Sequence, residues 1–242
     1  MKNIVNKKLS QIVTENLQAA HILERHHIDF CCGGDKTLGQ ACKERGIEPN
    51  EINSKLKEVM SGSDSETEFI KNMDAAELSD YIIKRHHAYV KENIPALKKY
   101  LKKVNEVHGI NHPELHEVMH EFYNASEALT NHMNNEETIL FPYIREMTEA
   151  KNESRHLNRP KTGSISNPIS QMFKEHENEG ARFDRLAEIT NNFSVPEDAC
   201  NTFKLTYNQL NEFKSDLHKH IHLENNILFQ EAQRLEKEIV KK

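Results

Sequence analysis

His220 and Glu224 stand four residues apart in DLHKHIHLENNILF (residues 216–229), and His132 and Glu136 stand four apart in HMNNEETILF (132–141). In an α-helix, positions i and i+4 lie one above the other, so each pair presents an imidazole and a carboxylate on one face. The two stretches are copies. Leu129, His132, Met133, Glu136, Ile139, Leu140 and Phe141 recur as Leu217, His220, Ile221, Glu224, Ile227, Leu228 and Phe229, each 88 residues further on. Both pairs fall on the stripe that their apolar neighbours commit to the core, where an uncompensated imidazole and carboxylate would cost on the order of several kcal/mol. A single such pair reads as a buried His–Glu hydrogen bond or an exposed pair, whereas two copies at matching positions point to metal ligation. A step of two residues turns a helix by about 200°, so His218 and His222 are expected on the opposite, solvated face.

Two further helical stretches offer ligands, RHH (Arg85, His86, His87) and KEH (Lys174, Glu175, His176), with His87 and His176 89 residues apart. His87 shares a stripe with Ile83, Val90, Ile94 and Leu97, and His86 falls beside it. His176 shares one with Ile169, Met172, Phe173 and Phe183. Each of four helices then contributes one inward histidine. Four imidazoles and two carboxylates suit two metal ions, each taking two histidines with both glutamates bridging. Nitrogen and oxygen ligands without thiolate favour iron or manganese over a Cys-rich structural zinc site and leave positions open for a bridging oxygen and a small ligand. Spacing alone does not choose among iron, manganese and zinc. The set is poorer in carboxylates than the Glu-x-x-His pattern of ferritin-like proteins, which leaves a ferric state less stabilised and suits binding or release more than storage.

The elements that must position these residues are helical. With 242 residues, 29% charged, 36% apolar, no Trp, eight Gly and seven Pro, the chain favours long helices over many short strands, and the fold class is all-α. Four long patterns describe an antiparallel four-helix bundle over residues 71–242. The first opens on a capping box at Asp74 and Glu77 and runs to about Asn105 with a kink at Pro95. The second runs from about Pro113 to Glu149. The third starts at Asn167 and Pro168, and the fourth starts on a second capping box at Ser194 and Glu197 and runs to the C-terminus. Between the second and third, KNESRHLNRPKTGSIS (151–166) reads as irregular.

Residues 1–60 read as a small helical domain. A first helix carries Ile12, Val13, Leu17, Ala20 and Leu23 on one face, a short helix ends at Gly46, and another starts with Pro49 in its first turn. The polar stretch SGSDSETE (61–68) reads as part of a linker over 61–70. Inside the small domain, DFCCGGDKTLGQAC (29–42) sets Cys31 and Cys32 beside two glycines and just before a helix start, where the macrodipole favours thiolate; Asp29 and Asp35 act the other way. A disulfide between adjacent cysteines is strained and readily reduced. The plainer reading is two small residues in a local core. Cys42 and Cys200 read as ordinary buried cysteines.

A net charge of −6 with no Lys/Arg run argues against nucleic-acid binding. No apolar stretch approaches the roughly 18 residues needed to span a bilayer, and the N-terminus lacks a signal-peptide pattern. The expectation is a cytoplasmic protein with reduced thiols and no membrane partner.

In combination, DFCCGG in a short N-terminal domain, then RHH, HMNNEETILFP, PISQMFKEHE and HIHLENNILF resembles the iron-sulfur cluster repair di-iron proteins, the repair-of-iron-centres family with a hemerythrin-like domain. The resemblance spans nearly the whole chain. It implies two non-haem iron ions, oxo- or hydroxo-bridged, with His87, His132, His176 and His220 as terminal ligands and Glu136 and Glu224 as bridges. Cys31 and Cys32 match the family's cysteine pair, for which a redox role or nitrosyl or iron transfer is implied. Glu175 matches an acidic position near the centre, on an iron or ligand path. The implied function is repair of iron-sulfur clusters damaged by nitric oxide or oxidative stress through iron donation from a labile centre, a repair factor more than a classified enzyme. Its implied partners are damaged iron-sulfur proteins, nitric oxide or O2, and a second copy of the chain in a homodimer. The linker would let the cysteine domain approach the open face of the bundle. Two alternatives are nitric oxide reduction at the di-iron site, and a hemerythrin-like O2 or nitric oxide sensing module, against which the additional cysteine domain argues.

Overall fold

The structure, a computed structural model, describes residues 4–158 and 163–240. After a 3-10 turn (Ile4–Asn6), the helices run in chain order: α1 (Leu9–Glu15), α2 (Ala19–Arg25), α3 (Leu38–Arg45), α4 (Pro49–Ser61), α5 (Ser65–Lys71), α6 (Ala75–Ile82), α7 (Ala88–His108), α8 (Glu114–Asn135), α9 (Phe141–Asn152), α10 (Ser166–Ile189), α11 (Asn201–Leu223) and α12 (Phe229–Ile239). Three π-helical turns, Ile83–His87, Glu136–Leu140 and Glu224–Leu228, join α6 to α7, α8 to α9 and α11 to α12 without a break. The described residues hold no strand, only isolated bridges, so the all-α expectation stands. The chain divides into two compact units.

One unit comprises residues 81–142 and 170–217, and it is an antiparallel four-helix bundle. Pairings between α7 and α8 run in opposite directions: Lys91 binds Glu137 at 2.6 Å, and Tyr123 donates to the Lys98 carbonyl. The same reversal holds between α8 and α10, where Arg182 meets Glu121 and Arg185 meets Glu117. It holds again between α7 and α11, where His86 meets Asp216 and His108 packs on Phe203. Phe213 of α11 marks the core: its ring stacks on Phe183 of α10, meets Phe122 of α8 edge-on and tilts against Tyr89 of α7. Val90, Ile94, Leu97 and Leu101 complete the buried stripe of α7, which continues through Pro95.

The other unit comprises residues 4–80, 143–158, 163–169 and 218–240. Its N-terminal helices bury Leu9, Ile12, Val13, Leu23, Leu38 and Leu56. The α3 start carries a full capping box, with Gln40 accepting from Thr37 N–H while the Thr37 hydroxyl accepts from Gln40 N–H, and Gly46 ends that helix at φ 66°. The Asp74–Glu77 capping box also forms, each side chain accepting the other's N–H at 2.9 Å. At the start of α10, the buried Glu236 carboxylate accepts from Ile165 N–H and the Ser164 hydroxyl, so a side chain from α12 satisfies donors that the helix leaves open.

Several expectations are corrected. The first helix is two, because Asn16 is extended (φ −154°) with its side chain accepting from Gln18 N–H and donating to the Val59 carbonyl. The stretch 61–68 is largely helical: α4 ends at Ser61, Asp64 caps α5, and the buried Thr67 hydroxyl accepts from Leu17 N–H at 2.9 Å. No Ser194–Glu197 capping box forms. Asn191, Asn192 and Phe193 are left-handed, and Asp198 accepts from His112 at 3.0 Å, which holds the chain in an irregular turn until α11 starts at Asn201. α10 starts at Ser166, one residue before the expected Asn167. Of the connection 151–166, residues 159–162 lie outside the described residues; within the rest, Leu157 bridges to Val240. Cys200 is exposed, not buried.

Candidate metal centre

The three π turns fall on the candidate ligand positions. Ala88 N–H donates to the Ile83 carbonyl, Phe141 N–H to that of Glu136, and Phe229 N–H to that of Glu224, each five residues back. Such a turn holds one residue more than an α turn and rotates the next helical segment by about 100°. The first π turn therefore ends on His87, and the other two begin on Glu136 and Glu224. This displacement corrects the sequence-based stripes: Ile139 is 61% exposed, Ile83 is only half-buried, and His86, placed beside the core, is buried with Nδ1 3.0 Å from Asp216. Phe173, placed on the inner stripe of α10, is also exposed, whereas its neighbour Met172 is buried.

Within the four-helix unit, His87, His132, Glu136 and His176 are all buried. The Nε2 atoms of His87 and His132 each stand 3.4 Å from Glu136 Oε2, and His176 Nε2 stands 3.0 Å from His132 Nε2. The outer nitrogens are held by two further carboxylates, His87 Nδ1 by Glu137 and His132 Nδ1 by Glu175, both at 2.7 Å. The hydrogen bond from His132 holds the Glu175 carboxyl below the usual range. Burial opposes ionisation of Glu137, but hydrogen bonds from Lys91 and His87 bring its carboxyl below the usual range too. An ionised carboxylate only accepts, so each ring turns an Nδ1–H outward to its carboxylate and faces Glu136 with Nε2. Two imidazole nitrogens thus converge on one carboxylate oxygen, a donor set of a kind that suits a cation. Imidazole ligands oriented by outer carboxylates are the usual support of such a site.

Glu175 and His132 also line a pocket of about 620 Å3 with Glu121, Asn131, Asn178 and Glu179. Burial raises the Glu179 carboxyl despite its partner Arg182.

In the other unit, His220 and Glu224 are buried one turn apart, with Nε2 2.9 Å from Oε1. Their flanking histidines are not solvated, which corrects the expectation for His218 and His222. His222 is fully buried: Nε2 lies 3.2 Å from the Thr14 hydroxyl, Nδ1 3.2 Å from Asn226, and the ring meets Phe30. Burial depresses its pKa to about 4, so it is neutral. His218 packs on the same Phe30, with Nδ1 3.3 Å from Glu24. Helical phase separates these rings correctly from His220, but it carries no signal of the N-terminal segment that covers them.

Cys31 and Cys32 are free, with their Sγ atoms 4.0 Å apart. The balance that the sequence left open between macrodipole and aspartates falls on the side of the thiol at Cys31. Its hydrogen bond to Cys32, then burial, then the Asp29 charge, push its thiol well up, and α3 begins only at Leu38, too far on for its dipole to act.

Comparisons with known proteins extend over most of the chain. Residues 5–60 match the ScdA_N model, described as a domain of unknown function (DUF542), and residues 78–232 match the hemerythrin HHE cation binding domain. Proteins named iron-sulfur cluster repair protein YtfE, from Yersinia pestis (strain Pestoides F) and Yersinia pseudotuberculosis serotype O:1b (strain IP 31758), are each 33% identical over 229 residues, covering 95% of this chain and 97% of theirs. No described helix is long and apolar enough to cross a membrane. With buried His and Glu side chains gathered where a cation-binding domain is matched, and relatives aligned over 95% of its length, the chain belongs to the family of these iron-sulfur cluster repair proteins.

Proposed function

We propose that this protein repairs iron-sulfur clusters damaged by nitric oxide or oxidative stress, and that it does so by donating iron held by His87, His132, Glu136, His176, His220 and Glu224. The observation that carries the reading is the convergence of the His87 and His132 Nε2 atoms on Glu136, with both rings fixed from outside by Glu137 and Glu175. His220 and Glu224 join the set on two grounds: they repeat His132 and Glu136 at the same spacing, and they sit at the same point of a π turn. Neutral imidazoles with two carboxylates are a borderline-to-hard donor set that fits two ferrous or ferric ions and includes no thiolate. Bound there, iron supplies redox and ligand-binding chemistry at positions that the protein leaves open.

The protein's own groups support release as well as binding. A set with few carboxylates stabilises ferric iron weakly, and Glu175 lines the pocket beside His132, where it can receive a departing cation. The names of the relatives give the client class, damaged iron-sulfur proteins. The test is to mix iron-loaded protein with a nitric-oxide-damaged iron-sulfur enzyme without added iron. Returning activity and a matching fall in bound iron are expected; no recovery with all iron retained would overturn donation.

A further inference from the structure

The N-terminal loop carries a second constellation, separate from the histidines. Asp29 accepts from Cys31 N–H and Cys32 N–H on Oδ1, both at 3.0 Å, and from Gly33 N–H on Oδ2 at 2.8 Å. The carboxylate therefore folds the loop around itself and holds Cys31 Sγ at 3.3 Å. The surroundings fix this shape. Asn226 donates to the Cys31 carbonyl at 3.1 Å, and Ser10 N–H donates to the Gly34 carbonyl at 2.9 Å. A Cβ on Gly34 would stand 2.7 Å from the Phe30 carbonyl oxygen, so only glycine allows the approach.

We propose that Asp29, Cys31 and Cys32 form a second, open metal site that takes one thiophilic divalent cation. Their ligand atoms all lie within 4.8 Å of one another. A tetrahedral ion with metal–sulfur bonds of about 2.3 Å and a metal–oxygen bond of about 2.1 Å sets its sulfurs about 3.8 Å apart and sulfur about 3.6 Å from oxygen. The loop has 4.0 Å and 3.3 Å. A disulfide would need the sulfurs at about 2.0 Å, a larger rearrangement than closing on an ion. Two sulfurs and one oxygen favour zinc or ferrous iron over magnesium or calcium. With three protein ligands the fourth position is open, as in sites that exchange a ligand and unlike closed structural zinc sites. Asp29 is exposed and Cys32 half-buried, so the ion has access from solvent. Binding exchanges two thiol protons for the cation, and both protons leave to solvent.

The loop site is independent of the histidine centre, and sulfur ligation alone is the readout that tests it. Reduced full-length protein, with its histidine centre loaded, is titrated with Co2+. A near-ultraviolet thiolate-to-cobalt charge-transfer band is expected in the difference spectrum, saturating at one equivalent per chain, because nitrogen and oxygen ligands give no such band. It should vanish in Cys31→Ser/Cys32→Ser, persist in Cys42→Ser and Cys200→Ser, and weaken at least tenfold in affinity in Asp29→Asn. Because Asp29→Asn also loosens the loop, alkylation gives a second reading on the wild type. Co2+ should protect Cys31 and Cys32 from iodoacetamide and leave the exposed Cys200 reacting at its original rate. No band, a band surviving in the double serine variant, or protection that does not discriminate Cys200 would each overturn the site, whatever the iron content of the bundle.

Discussion

The two copies of the His–Glu motif keep the same inner face and differ on the outer one. His132 and Glu136 are buried, as are His220 and Glu224, and each carboxylate opens a π turn. On the far side, Thr130 and Asn134 are exposed, whereas their counterparts His218 and His222 are buried against Glu24, Phe30 and Thr14. The second copy carries on its back a polar contact to the N-terminal segment, and Asn226 extends that contact to the Cys31 carbonyl. The repeat thus accounts for the shared inner face, and the departures from it mark where the two copies differ.

Breaking the shared face should give the largest effect. Glu136→Ala and His220→Ala are each expected to lose at least one of the two ions proposed, measured by metal analysis, and to lower thermal stability as the metal contribution goes; that contribution is about 2.7 kcal/mol with free metal at about 100 times Kd. His218→Ala and His222→Ala should keep metal near wild type. Equal metal loss across His218, His220 and His222 would show that the two faces are not distinct.

The outer carboxylates come next. Glu137→Gln and Glu175→Gln weaken the hold on Nδ1 of His87 and His132 and should reduce metal affinity by about 10–100-fold, read by competition with a chelator. An unchanged affinity would leave these contacts as surface ion pairs only.

A smaller effect separates the outer faces. His222→Ala leaves the half-buried Thr14 hydroxyl and Asn226 without this partner and removes a buried ring, at about 1–3 kcal/mol, measured by denaturant unfolding. Asn134→Ala, at the matching exposed position, should fall within about 0.5 kcal/mol. Similar values for the two would erase the distinction between the outer faces.

Much of the fold is legible in sequence because it is local. The capping box at Asp74, the C-cap at Gly46 and the four long apolar stripes follow from neighbours within one or two turns. The candidate ligand histidines are legible for the same reason: a buried imidazole on an apolar stripe needs compensation, and the 88-residue repeat shows that the need arises twice. The misplaced residues have other causes. Ile139 and Ile83 are phased on an unbroken α-helix, and a π turn leaves no trace in residue type. Phe173 lies about 100° around the helix from Met172, and only Met172 lands on the buried face. The Ser194–Glu197 box fits the pattern but loses to the clamp between Asp198 and His112, 86 residues away.

The sequence by itself determined the helices, their apolar stripes and the inward His and Glu of each repeat, because helical periodicity and the cost of burying charge act within a single element. Tertiary structure decided which outer faces are covered, where the π turns rotate the candidate ligands, and that the Cys32 contact, burial and Asp29, rather than a helix dipole, govern the Cys31 thiol. Those outcomes depend on contacts such as Thr14 with His222 and Asn226 with Cys31, which join residues 208 and 195 positions apart, and no pattern along one helix records what another segment will bring to it.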